Sequence, residues 1–332
     1  MTLYKRNTVK DVTLEDLSGV RKLLKKAPLN YEKYSTSFLF STERQDGING
    51  IIDYRGKKVL TPASSGDQYV GAVYYDAKEV ETYDINRITF YMTCLKIASI
   101  RELDYEEFIS FFTPLDEFGC LRKSFWNLGT LKRLLKIMPF DVAYFWDTIM
   151  FEAQKTGFLF LTVPEHNSNE LYNIKSGMPF YKNKEEYYKL QRKLRERDYP
   201  RFIESDLLSL KEKLSSSYDI IYLSNIIECL VHLELRNYYM GDASLENYHE
   251  RDITEKVMQQ VLPFLEENGT ILVSYRANRD YSYCLDWLYN NDFFEVYSIP
   301  SKYPRDFGGW NSGDTDLVLT YRPKKTGKIV QF

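Results

Sequence analysis

Residues 57–86 read KKVLTPASSGDQYVGAVYYDAKEVETYDIN, and few folds accept that order. Two short apolar runs, VLT and VETYD, are too short for helices and suit strands. Between them lie a turn of small residues and a segment whose apolar positions recur at helical spacing. Strand, helix and strand in succession make a βαβ unit, and so part of a parallel sheet. Such a unit either binds a nucleotide or is an ordinary buried crossover with a Ser-Ser-Gly turn.

The rest of the chain extends the pattern. Residues 57–61 and 79–83 are the expected first strands, with helices over 65–75 and 87–100. The alternation returns at residue 199. RFIESDL is a strand, LLSLKEKL a helix and YDIIYLSN an apolar strand. ITEKVMQQVLPFLEENG is then a helix ended by Asn268-Gly269, and TILVSYR a strand. YSYCLDWLYNND is a helix, and FFEVYSIP and TDLVLTYRP close the chain as strands with no helix between them, so one runs antiparallel. Residues 101–198 depart from this rhythm. They carry helical segments broken by Pro114, Pro139, Pro164 and Pro179, the mark of a helical insertion. The expected organisation is a helical segment over 1–55, a Rossmann-like domain from 56–100 and 199–332, and the insertion over 101–198. The fold class is α/β, a mostly parallel seven-stranded sheet with a terminal antiparallel strand.

Composition narrows the function. The net charge of −3 over 332 residues gives no basic excess for nucleic acid. The densest basic run, YYKLQRKLRERDYPR, alternates with Glu and apolar residues and reads as a solvated helix face. Four cysteines without a C-x-x-C pair fit free thiols in a reducing cytoplasm. Three scattered histidines, His166, His232 and His249, indicate no metal site. No secretory leader and no spanning helix are apparent. A cytoplasmic protein is expected, with peripheral membrane contact left open.

An open parallel sheet binds ligands beyond the carboxyl ends of its strands. The loop carrying Ser64, Ser65, Gly66 and Asp67 lies there, where small residues permit close approach and the following helix offers free N–H groups. Asp84, at the end of the second strand, can accept both hydroxyls of an adenosine ribose; it can equally cap the next helix. SSGDQYVG lacks the G-x-G-x-x-G that a pyrophosphate requires, so a ligand without phosphates fits better, and S-adenosylmethionine is one. Asp206, with Leu207 beside it, sits where an acid can face the adenine amine, or cap a helix. Ser224 and Asn225 end the fourth strand and face a reaction centre there.

The stretches VLTPASSGDQ and YDINRITFYMTCLKIASIRELDYEEFISFF resemble the bacterial S-adenosylmethionine:diacylglycerol 3-amino-3-carboxypropyltransferase family of betaine-lipid synthesis. The matching positions are Ser65-Gly66-Asp67, Asp84-Ile85-Asn86, Leu95-Lys96-Ile97-Ala98 with Leu103, and Glu106-Glu107-Phe108. STERQDGING corresponds to the segment preceding the family's first strand. The second glycine of the family's turn is absent. The resemblance implies S-adenosylmethionine as cofactor, cofactor contacts from Asp84, Ile85 and Asn86, and a lipid or small-molecule acceptor, with the insertion as lid or acceptor pocket.

The transfer needs a grip on the methionine carboxylate and ammonium. Ser64, Ser65 and Asp67 are candidates for it, with Arg44 or Arg276 as carboxylate partners. Glu228, Tyr275 and Glu43 are the candidate general bases. Phe140, Tyr144, Phe145, Trp146 and Phe151 would line an apolar acceptor site, or form the insertion's own core. Aminocarboxypropyl transfer is the preferred reading. Methyl transfer to a small molecule and a non-catalytic S-adenosylmethionine-binding sensor or scaffold are the alternatives, ahead of a nicotinamide oxidoreductase.

Overall fold

The computed structural model describes residues 41, 45–113, 126–156, 178–227, 230, 243–275, 294–300 and 315–322. The expected helices over 12–27 and 281–292 lie outside them.

In chain order the elements are α1 (Gln45–Ile51), β1 (Lys58–Pro62), α2 (Asp67–Tyr74), β2 (Glu79–Asp84), α3 (Arg87–Glu102), α4 (Tyr105–Phe112), α5 (Leu128–Leu135), α6 (Phe140–Thr156), α7 (Pro179–Lys182) and α8 (Lys184–Arg195). There follow β3 (Phe202–Glu204), a 3-10 helix (Leu207–Glu212), β4 (Tyr218–Tyr222), α9 (Ala243–Val261), β5 (Leu265–Tyr275), β6 (Phe294–Pro300) and β7 (Thr315–Tyr321). The seven strands stand in the order β3-β2-β1-β4-β5-β7-β6. β1 pairs in parallel with β2 and β4, β2 with β3, and β4 with β5. β7 runs antiparallel to both neighbours and slots between β5 and β6, so the sheet ends on β6. That strand order, with an antiparallel β7 inside the edge, is the Rossmann-like topology of the class I methyltransferase fold.

Two apolar cores follow from strand alternation. Val59, Ile220 and Leu272 point to one face, where α1 to α8 pack and Val70, Leu95, Phe108, Trp146 and Leu190 join the same cluster. The helices between α3 and β3 thus share the sheet's own core. Leu60, Ile221 and Val273 point to the other face, against the 3-10 helix and α9 through Leu210 and Val257.

α3 runs through the middle of the first core and is buried nearly all round. Phe145 and Trp146 are fully buried there, and the Trp146 indole donates to the Tyr91 carbonyl at 3.1 Å. Tyr144 is half-buried against the same core, while Phe140 is exposed; the Phe151 side chain is outside the described residues. Two members of the aromatic stripe are therefore packing groups.

The basic run lies mostly on α8, whose Tyr187, Leu190 and Leu194 are buried. Three of its cations are engaged within the fold: Lys189 with Glu186 at 2.7 Å, Lys193 with Asp76 at 2.8 Å and Arg195 with the Arg101 carbonyl at 2.8 Å.

One helix boundary differs from expectation. α9 stops at Val261 because Pro263 lacks an N–H and clashes with the preceding turn. Residues 265–269, expected in that helix, belong to β5. Register slips there, with Tyr218 opposite Leu265 but Ile220 opposite Thr270, so the extra residues form a bulge. Gly269 suits it, since a Cβ would sit 2.8 Å from the Glu266 carbonyl. LLSLKEKL also differs, forming a 3-10 helix.

Candidate functional site

The strand order reverses between β1 and β4, which makes their carboxyl ends the crevice of this sheet. Both strands leave it through a serine with left-handed backbone, Ser64 at φ 44° and Ser224 at φ 56°. Such a conformation costs on the order of 1–3 kcal/mol per residue and concentrates at functional sites.

The turn after β1 is tightly fixed. The Gly66 N–H donates to the Ala63 carbonyl at 2.7 Å, and the Thr93 hydroxyl of α3 donates to the same oxygen at 3.2 Å. Gly66 sits at φ 82°, where a Cβ would lie 3.0 Å from the Thr93 Cα. Glycine is thus required both by the backbone angle and by the close approach of α3.

Asp84 ends β2 and joins two loops. One carboxylate oxygen accepts the Ser64 N–H at 3.2 Å and the other the Asn86 N–H at 2.9 Å. Asp84 is half-buried, and burial raises its pKa despite the opposing hydrogen bonds. Asp84 is not a helix cap; Asn86 caps α3, accepting the Ile88 N–H at 3.0 Å. Ile85 between them is 68% exposed, an apolar surface beside a carboxylate at the mouth of the crevice.

Asp206 caps the 3-10 helix through the Ser209 N–H at 3.0 Å, and the Leu207 side chain is buried in the second core. The neighbouring Ser205 N–H donates to the Asp84 carbonyl at 3.0 Å, which keeps this loop beside the end of β2. Ser224 is buried and its carbonyl accepts the Ser274 N–H at 3.0 Å, tying the end of β4 to β5; Asn225 beside it is partly buried. Tyr275 is the last residue of β5, and its side chain is outside the described residues. Glu43, Arg44, Glu228 and Arg276 also lie outside them.

Asp67, expected to hold a ligand's ammonium, is buried and committed to protein donors. Lys96 of α3 donates to its carboxylate at 2.6 Å and the Tyr181 hydroxyl of α7 at 2.5 Å. The Ser41 N–H donates to its second oxygen. Its own N–H donates to Ser65 at 3.3 Å. Lys96 is fully buried. Burial, and next the adjacent Asp67 charge, push the Tyr181 hydroxyl well above its ordinary range, so it stays a donor.

Two further groups extend this cluster toward β4. The Gln45 side-chain amide, on the first residue of α1, donates to the Ser41 hydroxyl and to the Tyr222 hydroxyl, each at 3.2 Å. Ser41 and Gln45, on either side of residues 42–44, are thereby anchored beside the ends of β1 and β4. Lys96, Tyr181, Ser41, Gln45 and Tyr222 are absent from the sequence-based site. Lys96 had a visible signal, a charge within the apolar helix FYMTCLKIASI. Tyr181 had none.

Among the described residues no group of three or more His, Cys, Asp or Glu is placed to hold a metal, and no helix is long and apolar enough to cross a membrane.

No family model and no curated protein matches the chain. Among solved structures, an rRNA methylase from Streptococcus thermophilus is similar at 8% identity over 84% of this chain and 93% of its own, with a TM-score of 0.32. The N-methyltransferase NodS from Bradyrhizobium japonicum WM9, in complex with S-adenosyl-L-homocysteine, is 8% identical over 92% of this chain and 97% of its own, TM-score 0.35. The rRNA methyltransferase aviRa from Streptomyces viridochromogenes is 10% identical over 82% and 78%, TM-score 0.35.

Proposed function

We propose that this chain is an S-adenosylmethionine-dependent transferase that moves the 3-amino-3-carboxypropyl group to a small-molecule or lipid acceptor. The observation that carries the donor is Asp84, a half-buried acid at the end of β2, held by the Ser64 N–H of the neighbouring loop. The choice of group rests on the family resemblance of the segments around it.

The residues present suit this donor. Asp84 would accept the ribose hydroxyls, and Ile85 offers an apolar face to the adenine. The turn at Ser64 and Gly66 lacks the repeated glycines of a pyrophosphate cradle and suits a ligand without phosphates. The sulfonium makes its three attached carbons open to displacement, and which one reacts depends on which the protein exposes. Ser64 and the loop ending β4 at Ser224 and Asn225 would orient the amino-acid arm, while Ser65 is fully buried and accepts the Asp67 N–H. Glu43, Tyr275 and Glu228 are the groups to test as general base.

Two measurements test this reading. Asp84→Ala should weaken S-adenosylmethionine binding at least about tenfold, or 1.4 kcal/mol, by titration calorimetry. Unchanged affinity removes Asp84 from the ribose role. Its raised pKa adds a pH signature. The ionised form is the acceptor, so affinity should fall on acidification through a value above the ordinary 3.8, a decline absent in Asp84→Asn. Second, mass spectrometry of the nucleoside left after incubation with cell extract separates the chemistries. Methylthioadenosine, absent from a heat-killed control, is expected; S-adenosylhomocysteine would mean methyl transfer instead.

A further inference from the structure

Asp67 is the first residue after the turn that leaves β1, and its carboxylate gathers donors from three separate parts of the chain. They are the Ser41 N–H, 26 residues away; Lys96, 29 away; and the Tyr181 hydroxyl, 114 away. Ser41 in turn meets Gln45, which reaches Tyr222 at the end of β4. The chain therefore bridges the two strands that flank the crevice through one carboxylate. Apolar side chains of equal volume would fill the same space but would not fix direction. Directed bonds are what a crevice needs if its backbone is to meet a ligand in one arrangement.

We infer that Tyr181 and Lys96 are positioning residues of this crevice, acting through Asp67 to set the turn after β1 and the backbone at Ser41. Tyr181 belongs to the helices between α3 and β3, so those helices take part in shaping the donor site as well as covering the sheet. The inference rests on the donor reading given above.

Tyr181→Phe is a clean probe, because the ring is held independently of its hydroxyl. It stacks on Phe108 with centroids 5.7 Å apart and 9° between planes, and the Tyr105 hydroxyl donates to its carbonyl at 2.8 Å. The experiment is calorimetric titration of S-adenosylmethionine and S-adenosylhomocysteine into wild type, Tyr181→Phe, Asp67→Asn and the double variant, alongside their melting temperatures.

Tyr181→Phe should raise both dissociation constants about tenfold while the titration temperature stays well below its melting point. The double variant should bind no more weakly than Asp67→Asn alone, since both changes break one network. Asp67→Asn keeps the side-chain shape and carries the same expectation should Tyr181→Phe not fold. Affinities within about twofold of wild type in these variants, whatever their melting points, overturn the positioning role. A wild type that binds neither ligand overturns the donor reading, and the inference with it; a wild type that binds alongside unaffected variants overturns the inference alone.

Discussion

The protein holds two clusters with nearly the same parts and opposite surroundings. At the carboxyl end of the sheet, Asp67 meets Lys96 and the Tyr181 hydroxyl. Toward the amino end, Glu81 meets Lys58 at 3.2 Å, Arg201 at 3.5 Å and the Tyr218 hydroxyl at 2.9 Å. Both acids are buried, with 4% of each side chain exposed. The cations differ: the Lys96 side chain is sealed at 0%, while those of Lys58 and Arg201 are 23% and 52% exposed. Water solvates one cluster and is excluded from the other. The same contacts should therefore carry different energies, because desolvation decides what an ion pair is worth.

The largest expected effect is at the sealed cluster. Lys96→Met strands a buried carboxylate and should cost about 3–5 kcal/mol in urea denaturation. Combining it with Asp67→Leu removes both charges and should restore about half of that loss or more, while leaving S-adenosylmethionine binding weak. Stability and binding would then part company, as directed bonds require. The smallest effect is at the open cluster. Arg201→Ala should cost about 0.2–1 kcal/mol, and the difference from wild type should shrink in 1 M salt, where the Debye length is about 3 Å. Equal costs at Lys96 and Arg201 would break the comparison.

Much of the fold was legible because local rules and burial agreed. β1, α2, β2 and α3 stand within about two residues of where apolar spacing puts them, with Asn86 supplying the cap that starts α3. The class of sheet followed from the alternation of strands and helices. The end of α9 was misplaced because Asn268-Gly269 resembles a helix stop, while Pro263 had already imposed one. The insertion of β7 between β5 and β6 depends on pairings that no local pattern records.

In the candidate site, placement was legible where a strand end fixes a residue. Asp84 and the Ser64–Gly66 turn lie at the crevice for that reason. Asp67 lies in the expected turn, but its partners were not foreseen. A carboxylate next to a ligand-binding turn looks like a ligand group until a lysine buried elsewhere is seen to need it. Tyr181 comes from a four-residue helix, α7, whose place against Asp67 is set only by tertiary packing.

The pairing of β2 with β3 also has a history in time. The Thr82 N–H and hydroxyl both donate to the Arg201 carbonyl, 119 residues further along. A ribosome adding about 5–20 residues per second takes on the order of ten seconds to make that stretch. Through that interval the nascent β2 has no third strand beside it and is open to pairing with another chain. Its first and third residues are Glu79 and Glu81, and charge on an open strand opposes edge-to-edge association. The carboxylate that later meets Arg201 thus guards the strand before its partner has been made.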